Sequence, residues 1–96
     1  MLKHLVFFKF KPETTEVEID DLVRSLTALV GIIPEIREFQ VGRDVVRSER
    51  SYDLGLVSAF DDLAAMQRYQ VHPDHQAVVA KVKRLCGGVV AVDFEY

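Results

Sequence analysis

Three stretches of this chain alternate with a period of two and are apolar on both faces. No other feature restricts the fold as much. In Leu2–Lys11 (LKHLVFFKFK), one face carries Leu2, His4, Val6, Phe8 and Phe10, and the other carries Lys3, Leu5, Phe7, Lys9 and Lys11. Further on, Leu54, Leu56 and Phe60 lie opposite Gly55, Val57 and Ala59, and near the end Val90, Val92 and Phe94 lie opposite Val89 and Ala91. Successive side chains of a strand point to opposite faces, so these segments read as strands. A sheet with one solvated face shows polar residues on that face. Neither face here is polar throughout, so the sheet needs cover on both sides.

Two helical regions are available as cover. Thr14 and Thr15, followed by Glu16 and Glu18, open a helix, since hydroxyls cap and acids suit the first turn. Val17, Leu22, Val23, Leu26, Leu29 and Val30 then recur at helical spacing, and Gly31 and Pro34 stop the segment. The spacing predicts a helix over about 15–31. Ile36–Val45 alternates again and reads as a strand with a bulge near Gly42. Arg47–Ser51 is a polar turn and Tyr52–Phe60 a third strand. Asp61 and Asp62 cap a helix from Leu63 to about Val71. Pro73 interrupts, and a further helical piece runs to about Leu85 with Val78, Val79, Val82 and Leu85 on its apolar side. Gly87-Gly88 ends it, and Val89–Tyr96 is the last strand. The order β-α-β-β-α-β is ferredoxin-like: an α+β fold whose four-stranded antiparallel sheet carries the helices on one face. The second apolar face then predicts a sheet-to-sheet homodimer, because large apolar patches are rarely left in water.

At 96 residues the chain has room for a single domain, residues 1–96. Its formal net charge is −3 with no basic cluster, which argues against nucleic acid and against an anionic membrane surface as partners. No apolar run reaches the roughly 20 residues of a membrane span. The opening residues read as a strand broken by charges rather than as a signal peptide. The single cysteine, Cys86, excludes an internal disulfide. The expected location is cytoplasmic.

Two of the three histidines flank one proline, in Tyr69–Val79 (YQVHPDHQAVV). The residue before proline avoids the α region, so His72 ends one helical piece. Pro73 suits the first position of the next. His72 is then a junction residue facing the surface. Two histidines around Asp74 fall short of the three or four ligands of a zinc centre, so no metal site is expected. His75 sits in the first helical turn, where the dipole favours neutral imidazole, the form that acts as a base. Tyr69 supplies a hydroxyl that can polarise a carbonyl or orient the base. His4 is the one polar residue on the Leu2–Phe10 face. It points into the subunit if that face meets the helices, where it needs a partner or a cavity.

Several of these residues carry a family resemblance. They are Lys3-His4-Leu5, the strand end Lys9-Phe10-Lys11, Ile32-Ile33-Pro34, Tyr52, Phe60 and above all Tyr69-x-x-His72-Pro73-x-His75. Over nearly its whole length the chain resembles the stress-responsive dimeric α/β-barrel (Dabb) family. The resemblance implies a ferredoxin-like subunit paired sheet to sheet into a barrel. It also implies a small apolar or aromatic ligand held between sheet and helices by His4, Val6, Phe8, Leu22, Val23, Leu26 and Leu56. The family includes a plant polyketide cyclase that works without a cofactor and closes a linear chain by aldol condensation. Its catalytic pair falls on Tyr69 and His75 and its pocket histidine on His4. It differs in carrying Phe-Gly shortly after the catalytic histidine, where this chain reads Gln76-Ala77-Val78-Val79.

Overall fold

Strand β1 (Leu2–Phe10) runs through the middle of the sheet, as its two apolar faces require. In a computed structural model describing residues 1–96, the elements following it are α1 (Glu16–Ala28), β2 (Glu38–Arg43), β3 (Leu54–Phe60), α2 (Leu63–Val71), α3 (Pro73–Leu85) and β4 (Cys86–Glu95). The strand order is β2-β3-β1-β4 and every pairing is antiparallel. This is the ferredoxin-like arrangement expected, with the second helical region split into α2 and α3 at Pro73.

Local chemistry sets most boundaries. The Thr15 hydroxyl accepts from the Glu18 backbone N–H, and the Glu18 carboxylate accepts from the Thr15 N–H, which completes a capping box. The helix predicted to reach residue 31 ends at Ala28 and tightens into a single 3-10 turn at Leu29–Gly31. Asp62 caps α2 by accepting from the Ala65 N–H. Strands β2 and β3 are shorter than the predicted 36–45 and 52–60. Beyond their ends the Asp44 N–H still donates to the Asp53 carbonyl, while the Asp44 and Asp53 carboxylates accept from the Arg47 and Phe10 N–H groups.

Two expectations are corrected at the glycines. Gly42 lies in register opposite Gly55, and no bulge occurs there. The irregularity falls instead between Lys9 and Phe10, whose partners are Gly88 and Cys86, leaving Gly87 as the extra residue. Gly87-Gly88 therefore does not cap α3. The cap is Cys86, in extended backbone, and β4 begins there rather than at Val89.

The side chains divide as the alternation requires. Leu2, His4, Val6 and Phe8 of β1 are buried under the helices, and so are Leu54, Leu56, Ser58 and Phe60 of β3. Leu22 and Leu26 meet them from α1, Leu29 from the 3-10 turn after it, Met66 and Tyr69 from α2, and Val78 and Leu85 from α3. The Lys81 ammonium reaches Asp21 Oδ2 at 2.8 Å and Ser25 Oγ at 2.7 Å, tying α3 to α1. On the opposite face nothing covers Phe7, Val90, Val92 and Phe94, each at least 40% exposed. They form neighbouring rows: Phe7 pairs with Val90, Leu5 with Val92, and Lys3 with Phe94.

Candidate functional site

The break at Pro73 builds the site. His72 adopts φ −61°, ψ 135°, out of the helical region, and its Nδ1 accepts from the Asp74 N–H at 3.1 Å. In an unbroken helix that N–H would go to the Gln70 carbonyl. Here the freed carbonyl accepts from His75 Nδ1 at 3.1 Å and from the Gln76 amide at 2.6 Å. A carbonyl only accepts, so the His75 proton sits on Nδ1 and Nε2 is left with its lone pair. His75 is half-buried. Burial is the main cause holding its pKa below the usual histidine value, with His4 and His72 adding to it against the opposing Gln70 bond. Desolvation thus favours the neutral imidazole.

Tyr69, in the last turn of α2, packs its ring against His75 with centroids 4.3 Å apart and against Phe60 at 4.9 Å. Its side chain is fully buried, and no group lies within hydrogen-bonding distance of its hydroxyl. Burial pushes the phenol pKa well above its ordinary value, so the hydroxyl keeps its proton as a donor. The His4 ring centroid lies 6.4 Å from that of Tyr69. His4 Nδ1 donates to the Asp93 carboxylate, its cross-strand partner on β4. That bond leaves His4 Nε2 free.

These side chains meet at a cavity of about 310 Å³ between the sheet and α3. His4, Val6, Phe8, Leu26, Leu56, Tyr69 and His75 all line it, and each was a sequence candidate. Leu22 and Val23 do not. Leu22 is fully buried within the core and Val23 packs against that core. Their places are taken by Val78, Val79, Val82 and Lys83 of α3 and by Val89 and Ala91 of β4. The four-residue spacing of His75, Val79 and Lys83 was the available signal for this helix face. Asp93 was missed too, although it shares the Val89–Ala91 face by alternation. His72 is a partly exposed cap, and no three His, Cys, Asp or Glu side chains converge anywhere in the fold. A larger, shallow depression of about 560 Å³ lies on the open sheet face over Phe7, Gly42, Gly55 and Val57. It holds none of the three histidines.

The family model described as the stress responsive A/B barrel domain matches residues 2–96. The chain belongs to the stress-responsive A/B barrel family. Among A/B barrel relatives, olivetolic acid cyclase of Cannabis sativa is 33% identical over 76 residues, covering 77% of this chain and 75% of the plant protein. An uncharacterized protein of Streptomyces coelicolor is 35% identical over 98 residues and covers all of both chains. A crystal structure from Thermobifida fusca, of a dimeric ferredoxin-like protein of unknown function, superposes with a TM-score of 0.90. It is 27% identical and covers 99% of this chain and 90% of that one. Relatives of this domain thus include both an enzyme and proteins of no assigned activity.

Two outcomes follow from this geometry. The ring protons of His75 will titrate below 6.5 by NMR, and a midpoint at or above that value would remove the neutral base. Because folding weakens proton binding at His75, the unfolded chain takes the proton first as pH falls. Its contribution to stability is full above about pH 6.5 and declines on acidification through the window down to the lowered folded value. His75→Gln will flatten that part of a series of urea midpoints. Second, a buried hydroxyl without a partner costs about 1–3 kcal/mol. Tyr69→Phe will therefore leave the ligand-free protein at least as stable as wild type in urea unfolding. A loss of more than about 1 kcal/mol would mean that the hydroxyl is bonded after all.

Proposed function

We propose that this A/B barrel protein binds a small apolar or aromatic carbonyl compound in the cavity between sheet and helices. We propose further that it catalyses a cofactor-independent, aldol-type cyclisation there. The observation that carries this reading is the buried Tyr69 hydroxyl, unpartnered and packed beside a neutral imidazole in an otherwise apolar cavity. Buried polar groups are almost always bonded, and exceptions cluster where a ligand completes the bond. In this mechanism Tyr69 donates to the substrate carbonyl oxygen and His75 Nε2 removes a proton from the adjacent carbon. The resulting enolate carbon attacks a second carbonyl of the same molecule, forming the ring C–C bond. The new alkoxide then takes the proton back from His75. His4, held by Asp93, is a polar wall whose free Nε2 accepts from a hydroxyl or enol of the substrate. The similarity to olivetolic acid cyclase, named for such a product, supports this reading.

The working unit is a homodimer formed through the open sheet face. Phe7, Val90, Val92 and Phe94 make a contiguous apolar patch, and a second copy laid on it by a two-fold axis removes that patch from water. Solved relatives from Thermobifida fusca and Bacteroides fragilis, both 27% identical, are described as dimeric.

A thermal-shift screen against phenolic, aromatic and β-keto compounds tests the site. A ligand at a hundred times its Kd stabilises by about 2.7 kcal/mol, a shift of several degrees in a domain of this size. The shift will vanish or shrink in His75→Ala and Tyr69→Phe. Turnover of a β-polyketone, followed by its chromophore, will fall by about a hundredfold or more in His75→Ala. No shift with any compound, or equal turnover in all three proteins, would leave these residues as packing and caps. Sedimentation tests the dimer: wild type will run as a dimer and Val92→Asp as a monomer. A wild-type monomer at micromolar concentration would contradict the open-face interface.

A further inference from the structure

The wall of the cavity carries one permanent charge. Of its lining residues, ten are apolar or aromatic, two are His4 and His75, and the last is Lys83. No carboxylate belongs to the wall. The Lys83 ammonium makes no ion pair or hydrogen bond within the chain, whereas Lys81, two residues earlier, is held by Asp21 and Ser25. Asp93, next after Val89 and Ala91 on that face of β4, is engaged by His4. Lys83 is also exposed, which puts it at the rim of the cavity rather than inside it.

Its position relative to the chemistry is set by α3. His75, Val79 and Lys83 stand four apart on one helix face, and all three line the cavity. Eight residues of helix rise about 12 Å. The cavity therefore has a polar, proton-handling end at Tyr69 and His75. Valines of α3 and β4 form its middle, and a free cation stands at its other end. An apolar tunnel with a lone cation at its edge discriminates by charge, since an anion gains a charge-assisted bond there while a cation is repelled.

We propose that Lys83 is a specificity-determining residue, and that the ligand is an amphipath whose anionic group sits on Lys83 while its apolar body fills the cavity toward His75. This rests on the cavity being a ligand site at all. Carboxylates and phosphate esters share the required chemistry.

Calorimetric titration of octanoate, octyl phosphate and 1-octanol into wild type, Lys83→Gln and Lys83→Glu tests it, with backbone amide NMR locating the bound chain. Wild type will bind the two anions at least about tenfold more tightly than the alcohol. That preference will fall to about one in Lys83→Gln and invert in Lys83→Glu, while 1-octanol binds all three alike. Octanoate above octyl phosphate identifies a carboxylate ligand, and the reverse order a phosphate ester. Equal binding of anion and alcohol by wild type, or a preference that survives Lys83→Glu, overturns the role of Lys83 and leaves the cavity site standing. Absence of binding by all three probes, with the Tyr69 and His75 amides unmoved, overturns both.

Discussion

Pro73 bars the residue before it from helical backbone, and the candidate site depends on the break that follows. A helix continuing through residue 73 would tie the Gln70 carbonyl to the Asp74 N–H. The proline ring excludes this by pushing His72 into extended backbone. The Asp74 N–H then turns to His72 Nδ1, and the Gln70 carbonyl becomes free to accept from His75 Nδ1. One broken rung thus fixes the tautomer of His75 and leaves Nε2 as the basic atom. It also places Tyr69, the last full turn of α2, ring to ring with the first turn of α3.

Much of this was legible because it is local. Period-two alternation located the strands, and Thr15 with Glu18 marked a helix start by chemistry that acts across three residues. Pro73 announced its own break. What was not legible depends on register and on how each helix rolls on the sheet. Gly87-Gly88 reads as a helix stop by composition, yet neither glycine has the positive φ that a glycine cap uses. Both lie in β4, where Gly87 is accommodated as a bulge opposite β1. That one-residue shift sets Asp93 opposite His4, a pairing invisible until the bulge is known. In the same way, periodicity identifies the apolar stripe of α1 but not which part of it meets the cavity. Leu22 is sealed in the core while Leu26 reaches the cavity, and the valines of α3, read as ordinary packing, line much of its wall.

The site is expensive in stability. A cavity of about 310 Å³ forgoes dispersion contacts that a filled core would make. A buried hydroxyl without a partner adds a desolvation cost of its own. Pro73 is not a remedy for either, since it shortens two helices. Natural cores are packed to crystal-like density, and here the departures fall together in one spot, around the same three rings. The remainder of the fold is ordinary by comparison. Its exposed ion pairs, such as Arg37 with Asp61 and Arg43 with Glu16, are screened by solvent and add little.

The chemistry open to such a site is narrow, and the narrowness follows from the burial that makes it. Desolvation keeps His75 neutral but also makes it a weaker base than free imidazole. A weak base removes a proton from carbon at a useful rate only when that carbon is already acidic. Two flanking carbonyls provide such acidity, and a hydrogen bond from an un-ionised phenol to the enolate oxygen increases it in the transition state. Tyr69 is fully buried and its hydroxyl keeps its proton, so it is the donor such an enolate would need. A simple ketone or ester would leave His75 facing a proton it cannot take. A β-dicarbonyl segment, apolar at one end and activated at the other, matches both the strength of the base and the polarity of the walls.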